Sequence, residues 1–208
     1  MQYKKDFEGN EDQMLLLSAT GNLFAKDQSS DFSNTVTRGD GEDMLQQTRT
    51  DFGQADYIFK ADYTRPLAEK YTIETGAQYQ INDVENDFAI SDFDGANFVE
   101  NPDLTNVFEW TQKVFGIYGT GAYEGDKWGI KLGVRFEDTN VNTLLQNTNE
   151  SNDQKYSNFF PSGHTSYKVN DDLSLQAGYS RRIFRPRLWD LNPFFNIRNN
   201  FNIRTGNP

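Results

Sequence analysis

Apolar and polar residues alternate along much of this chain. Within residues 128–137, Trp128, Ile130, Leu132, Val134 and Phe136 share one phase, and Gly129, Lys131, Gly133, Arg135 and Glu137 share the other. Successive side chains of a strand point to opposite faces, so this rhythm predicts a β-strand with one apolar and one polar face. Residues 71–81 repeat it, with Tyr71, Ile73, Thr75, Ala77, Tyr79 and Ile81 set against Thr72, Glu74, Gly76, Gln78 and Gln80. So do residues 54–63, where Ile58 is the exception, and residues 173–180. Weaker versions occur at 15–24, 114–123 and 159–169. No helical period competes, and the pattern predicts an all-β chain of about seven strands.

The connections between these strands alternate in length. Residues 65–70, 124–126 and 170–172 are short and carry the Pro, Gly, Asn and Asp that tight turns demand. Residues 25–50, 82–109 and 139–157, and everything after Arg185, read as long polar loops. Such loops are uncommon in a compact soluble domain but ordinary on a transmembrane β-barrel, which has short turns on one side and long loops on the other. The bilayer supplies the reason. Hydrocarbon cannot hydrogen-bond a peptide group, so a spanning sheet pairs every strand, shows apolar side chains outward and keeps a wet inner face. Tyr63, Tyr71, Tyr123 and Trp128 fall beside the short turns, where aromatic rings suit the headgroup level. Ile130, Leu132, Val134 and Tyr79 are then expected to meet lipid, with the short turns periplasmic and the long loops outside. A soluble antiparallel sandwich would show the same alternation on its inner faces. The fold expected is an antiparallel transmembrane β-barrel, an up-and-down meander, with about seven to eight strands of a larger barrel. Residues 1–208 are expected to form one partial barrel domain, with no plug or N-terminal regulatory domain.

Composition narrows the chemistry. The chain has 31 acidic against 20 basic residues, a net charge of -11, which makes nucleic acid a poor partner. It has no cysteine and one histidine, which removes disulfides, thiolate metal sites and cysteine nucleophiles and leaves little basis for a histidine triad. No run of about 18 apolar residues is present, so no transmembrane helix is expected. Carboxylates are plentiful, yet no spacing singles out a facing pair of the kind glycoside hydrolysis needs. The chain is therefore expected to be no enzyme and to carry no cofactor or metal.

Residues 160–208 read FPSGHTSYKVNDDLSLQAGYSRRIFRPRLWDLNPFFNIRNNFNIRTGNP. The run Phe160-Pro161-Ser162, Ser166-Tyr167-Lys168, Gly178-Tyr179-Ser180-Arg181-Arg182, Arg185-Pro186, Trp189-Asp190-Leu191-Asn192-Pro193-Phe194 and Arg204-Thr205-Gly206-Asn207-Pro208 resembles the C-terminal barrel of TonB-dependent receptor-like outer-membrane proteins. Upstream, KWGIKLGVRFEDT at 127–139 and YTRPLAEKYTIETG at 63–76 are similar to the same family's turn-and-strand units. The resemblance implies an outer-membrane location and import of a bulky nutrient or metal complex. It also implies contact with outer-membrane lipid, and with a TonB-type energy-coupling protein through regions of the full-length protein absent from this chain. A surface lipoprotein is a further candidate partner.

Several residues are candidates for contact with a solute. Lys131, Arg135 and Glu137 share the polar phase of one strand, and His164 shares its own strand's polar phase with Ser162 and Ser166. Residues 82–109 hold Asp83, Glu85, Asp87, Asp92, Asp94, Glu100, Asp103 and Glu109 without a Lys or Arg. That stretch is either a loop for a cationic ligand, with Asp92 and Asp94 as candidates, or a loop kept soluble by charge. Its DFDGAN run fails the EF-hand spacing, because the glycine falls too early. Arg181, Arg182 and Arg185 suit bidentate contacts to lipopolysaccharide phosphates at the outer rim, or pairing with acids of neighbouring loops or a plug. Besides the importer, two functions stay open: a soluble β-rich carbohydrate-binding module and a structural outer-membrane barrel that transports nothing.

Overall fold

A computed structural model describes residues 1–7, 10–185, 196–199 and 202–204. Among them there is no helix, only strands in chain order: β1 (Gln2–Phe7), β2 (Asn10–Asn34), β3 (Met44–Ala68), β4 (Tyr71–Phe93), β5 (Phe98–Glu100), β6 (Asn106–Glu124), β7 (Trp128–Leu145), β8 (Glu150–Lys168), β9 (Ser174–Ser180), β10 (Asn196–Asn199) and β11 (Asn202–Arg204). The main sheet runs β1-β2-β3-β4-β6-β7-β8-β9, with β5 folded back on β4, and β10 pairs with β11 apart from it. Neighbours are antiparallel throughout, the up-and-down meander of a barrel wall. Among the described residues the sheet stays open, with β1 and β9 at its edges.

The long loops expected at 25–50, 82–109 and 139–157 are mostly strand. β2 and β3 are 25 residues long, β4 23, β6 19, β7 18 and β8 19. At a rise of roughly 3.3 Å per residue they reach about 60–80 Å, about two to nearly three times the roughly 30 Å depth of the hydrocarbon. Pairing continues through the polar stretches, from Asp27↔Asp51 and Asp51↔Asp87 to Asn142↔Asp153, and the connections shrink to residues 35–43, 94–105 and 146–149. Alternation of apolar and polar residues marks only the part of a strand that meets lipid. Beyond it the outer phase turns polar while the backbone ladder goes on.

The outward phase shows where that boundary lies. On β7, Ile130, Leu132 and Val134 are 41%, 62% and 50% exposed, although all are large and apolar. Tyr57 and Phe59 on β3, Ile73 and Tyr79 on β4, Phe115 and Ile117 on β6, and Phe159 on β8 are likewise exposed. At the turn end the band closes on paired aromatics, Tyr71 with Tyr123 at 5.1 Å and Trp128 with Tyr167 at 4.5 Å between ring centroids. At the other end the same phase changes to Asp83, Glu85 and Asp87 after Ile81, and to Asp138 and Asn140 after Phe136. The band between is about ten residues deep, the length a barrel strand needs to cross hydrocarbon. A soluble sandwich would cover this phase with a second sheet, and among the described residues none does.

The inward phase is polar beside the band and apolar beyond it. Val84, Phe108, Trp110, Val141 and Leu145 form a buried cluster on β4, β6 and β7, joined by Phe52 of β3 and Tyr156 of β8. Phe108 is 1% exposed, and burying such a ring stabilises by roughly 1.5–3 kcal/mol. The strand extensions therefore curl over one another and hold a core of their own. Their tips are tied by backbone and amide contacts: Gln146 N donates to Val107 O at 3.0 Å, and the Gln146 side chain bonds Glu109. At the turn end, Lys70 Nζ reaches Asp126 at 3.1 Å, locking two adjacent turns together.

Candidate functional site

The inner wall is built from the even-numbered residues of β3, β4, β6 and β8 and the odd-numbered residues of β7, as the register dictates. Near the turn end Lys131 Nζ pairs with Glu74 Oε2 at 2.6 Å, and Thr120 Oγ1 donates to the same oxygen at 2.9 Å. These groups sit on β7, β4 and β6, so one carboxylate ties together three neighbouring strands. Lys131 and Glu74, with Thr72, His164, Ser166 and Gln176, line an open concavity of about 590 Å³. His164 lies opposite both Lys131 and Gly178 in the ladder. Its ring covers Gly178 so closely that a Cβ there would stand 2.6 Å from Nδ1. Further up, the amides of Gln54 and Asn82 both donate to Asp56, at 2.9 and 2.6 Å, and Gln80 donates to Asn82 at 2.9 Å.

Nearest the apolar cluster lies an ionic group. Arg135 Nε donates to Glu137 Oε1 at 2.5 Å, and Arg185 Nη2 donates to Glu137 Oε2. Glu137 is 7% exposed and Thr139 beside it 0%, and Arg185 Nη2 also lies 3.5 Å from the Thr139 hydroxyl. A carboxylate this far from water needs partners, and here it has two guanidiniums. Arg135 is held from other sides as well. Its guanidinium lies 5.6 Å from the Tyr118 ring centroid, and a Cβ on Gly116 would come within 2.6 Å of its Nη2. Glycine on β6 is what lets this long side chain lie flat on the wall.

The arginines after β9 do not stand at an outer rim. Ser180, the last residue of β9, is level with Ser162, and Arg181 N donates to Pro161 O at 3.1 Å, a residue that faces Val134 in the middle of the apolar band. An arginine continuing the outward phase there would sit in hydrocarbon, which is costly. Instead the chain leaves the sheet: Arg181 and Arg182 are exposed outside regular structure, and Arg185 folds onto the inner wall at Glu137. The lipopolysaccharide contact expected at the rim loses its geometric basis. Residues 186–195 and 205–208, which carry the later motifs of the resemblance, lie outside the described residues.

The acidic stretch is also not a single mouth loop. Asp83, Glu85 and Asp87 continue the outward phase of Tyr79 and Ile81 on β4, so they point away from the lumen. Asp92 accepts from Gln46 and Asn101, each at 2.8 Å. Asp94 accepts from the backbone N–H groups of Ala96 and Asn97 at 2.8 Å, which hold its carboxyl below the usual aspartate range and shape the β4–β5 turn around Gly95, whose φ is 99°. Among the described residues no group of three or more metal-ligating side chains is arranged to hold an ion. Reading the polar phase brought out Lys131, Arg135, Glu137 and His164. It put Glu74 on the polar face of 71–81 without marking it as a candidate, and it missed Thr120, Tyr118 and Thr139; the roles of all four follow from the register between distant segments.

An apolar outward band edged by aromatic pairs, a polar ion-paired inner wall and strands that meander with tight turns at one end define an outer-membrane β-barrel protein. The chain belongs to the outer membrane protein beta-barrel family, whose model residues 5–208 match. Among solved structures it is similar in fold to the ferric citrate transporter FecA in its unliganded form, at 11% identity and a TM-score of 0.61, over 85% of this chain. The match covers 25% of FecA, so this chain spans about a quarter of that protein's length. No curated protein sequence matches it. The described sheet is thus β-barrel wall of an outer-membrane protein.

Proposed function

We propose that this chain forms part of the wall of a TonB-dependent receptor-like importer, a barrel that takes up a bulky nutrient or metal complex. The observation that carries the reading is the inner wall itself. Beside the apolar band its charges are held by fixed partners, Lys131 by Glu74 across strands and Arg135 by Glu137 along its own strand, and glycines let Arg135 and His164 lie flat, so this part of the inner wall is polar and clear of bulky side chains. Such a surface suits solute passage better than a packed interior. The fold likeness to a ferric citrate transporter and the residues shared with receptor-like barrels support the same reading, which assigns the chain a non-enzymatic role. In this account Lys131, Arg135, Glu137 and His164 face the path, Asp92 and Asp94 lie at the cell-surface end, and the energy-coupling protein is engaged through regions outside this chain. A surface lipoprotein could cap the outer end.

The test is genetic. Cells lacking the full-length gene, and cells lacking the energy-coupling protein, should lose uptake of the same solute in a growth screen across carbon, nitrogen and metal sources. If deletion weakens the envelope but changes no uptake, the barrel is structural and the importer reading fails.

A further inference from the structure

We propose that Arg135 and Arg185 form a subsite for the oxyanion group, a carboxylate or phosphate, of a solute in the lumen, with Glu137 as its built-in competitor. The proposal rests on reading the inner wall as a solute path. Two guanidiniums share a single carboxylate here, so the cluster is net positive in a chain whose net charge is -11. Lower on the wall Lys131 is balanced by Glu74, so no such excess arises there.

Arg185 Nε is buried and has no hydrogen-bond partner among the described residues. A guanidinium N–H shut away from water is costly unless an acceptor reaches it, and its planar fork matches a carboxylate or phosphate in a bidentate contact. Tyr118 and Gly116 position Arg135 independently of Glu137, so that guanidinium stays aligned when an incoming anion takes over the carboxylate's place. Asp83, Glu85 and Asp87 face outward from the sheet, and of the acids on the inner wall Glu74 is paired with Lys131 and Asp56 accepts from Gln54 and Asn82. Glu137 keeps the subsite from holding an anion tightly, which suits a site that must also release its solute.

The test is calorimetric titration of the detergent-solubilised full-length protein with inorganic phosphate and with acetate, with and without added lipopolysaccharide. Wild type should bind phosphate weakly and saturably. Glu137→Gln removes the competitor and should bind at least about tenfold more tightly, a change well within the strength of one close charge interaction. Arg135→Gln and Arg185→Gln should lose saturable binding, and Arg185→Lys should keep only part of it. Each variant is checked for the heat-modifiable gel mobility of a folded barrel. If Glu137→Gln does not fold, phosphate-dependent slowing of hydrogen exchange across residues 135–139 of the wild type replaces it. An affinity unchanged in Glu137→Gln or Arg185→Gln, or no exchange protection, overturns the subsite. Displacement of phosphate by lipopolysaccharide would overturn a soluble ligand in favour of a lipid phosphate. Coupler-dependent uptake in a protein that binds no phosphate refutes the subsite alone, whereas phosphate binding without any uptake refutes the importer alone.

Discussion

Placing an arginine on the outward face should cost stability according to depth. Leu132 is the most exposed of the large apolar residues on β7, flanked in the ladder by Gly121 and Gly163, with no cross-strand side chain to shelter it. It lies midway between the aromatic pairs at the turn end and the phase change after Phe136. Arginine at the midplane of a barrel's lipid face costs about 2–4 kcal/mol, falling to about 0–1 kcal/mol near the interface. Leu132→Arg should therefore destabilise the full-length protein by about 3 kcal/mol, whereas Asn140→Arg, on the same phase beyond the band, should change little. Urea unfolding in phospholipid vesicles, followed by tryptophan fluorescence, measures both. Equal costs at the two positions would show that the band does not lie in hydrocarbon.

Gly116→Val should force the Arg135 guanidinium off the wall, since even a Cβ would approach to 2.6 Å, and should destabilise by about 1–3 kcal/mol in the same assay. Gly53→Ala, where nothing lies within 4 Å of the added carbon, is the mild control. Because the backbone amides of Ala96 and Asn97 hold the Asp94 carboxyl below its ordinary value, their contribution is present above the unfolded aspartate pKa and is lost as pH falls through the lowered folded value. Hydrogen exchange at those two amides should thus show extra opening on acidification, and Asp94→Asn should abolish that dependence. Protease added to intact cells should cut within residues 35–43 or 94–105 and spare 82–93, which is paired strand, and 124–126, which lies at the end read as periplasmic; cleavage of 124–126 alone would invert the topology.

Most of the membrane-embedded fold was legible because lipid imposes a strict alternation. Residues 128–136 and 71–81 announce both their strand and its outward face. The extensions were not legible. Residues 25–34, 82–93 and 139–145 meet water on the outer face, so no apolar phase marks them, and only pairing with partner strands shows them to be sheet. One signal was available there: continuing the phase of Tyr79 and Ile81 already puts Asp83, Glu85 and Asp87 on the outer face. The candidate site divides the same way. Phase places Lys131, Arg135, Glu137 and His164 on the inner wall, but Glu74 is 57 residues from its partner Lys131, and Arg185 is 48 from Glu137. Pairings at that range depend on strand register and on where β9 ends, which no local pattern encodes.

The central claim is that neighbouring residues of β7 face opposite media, and one measurement tests it most directly. Single nitroxide labels are placed at Leu132 and at Lys131 in the full-length protein in vesicles, and their relaxation by lipid-soluble oxygen and by a water-soluble nickel chelate is compared. Oxygen should dominate at Leu132 and the nickel chelate at Lys131. Equal access of the chelate to both positions would contradict the barrel wall and every site placed on its inner face.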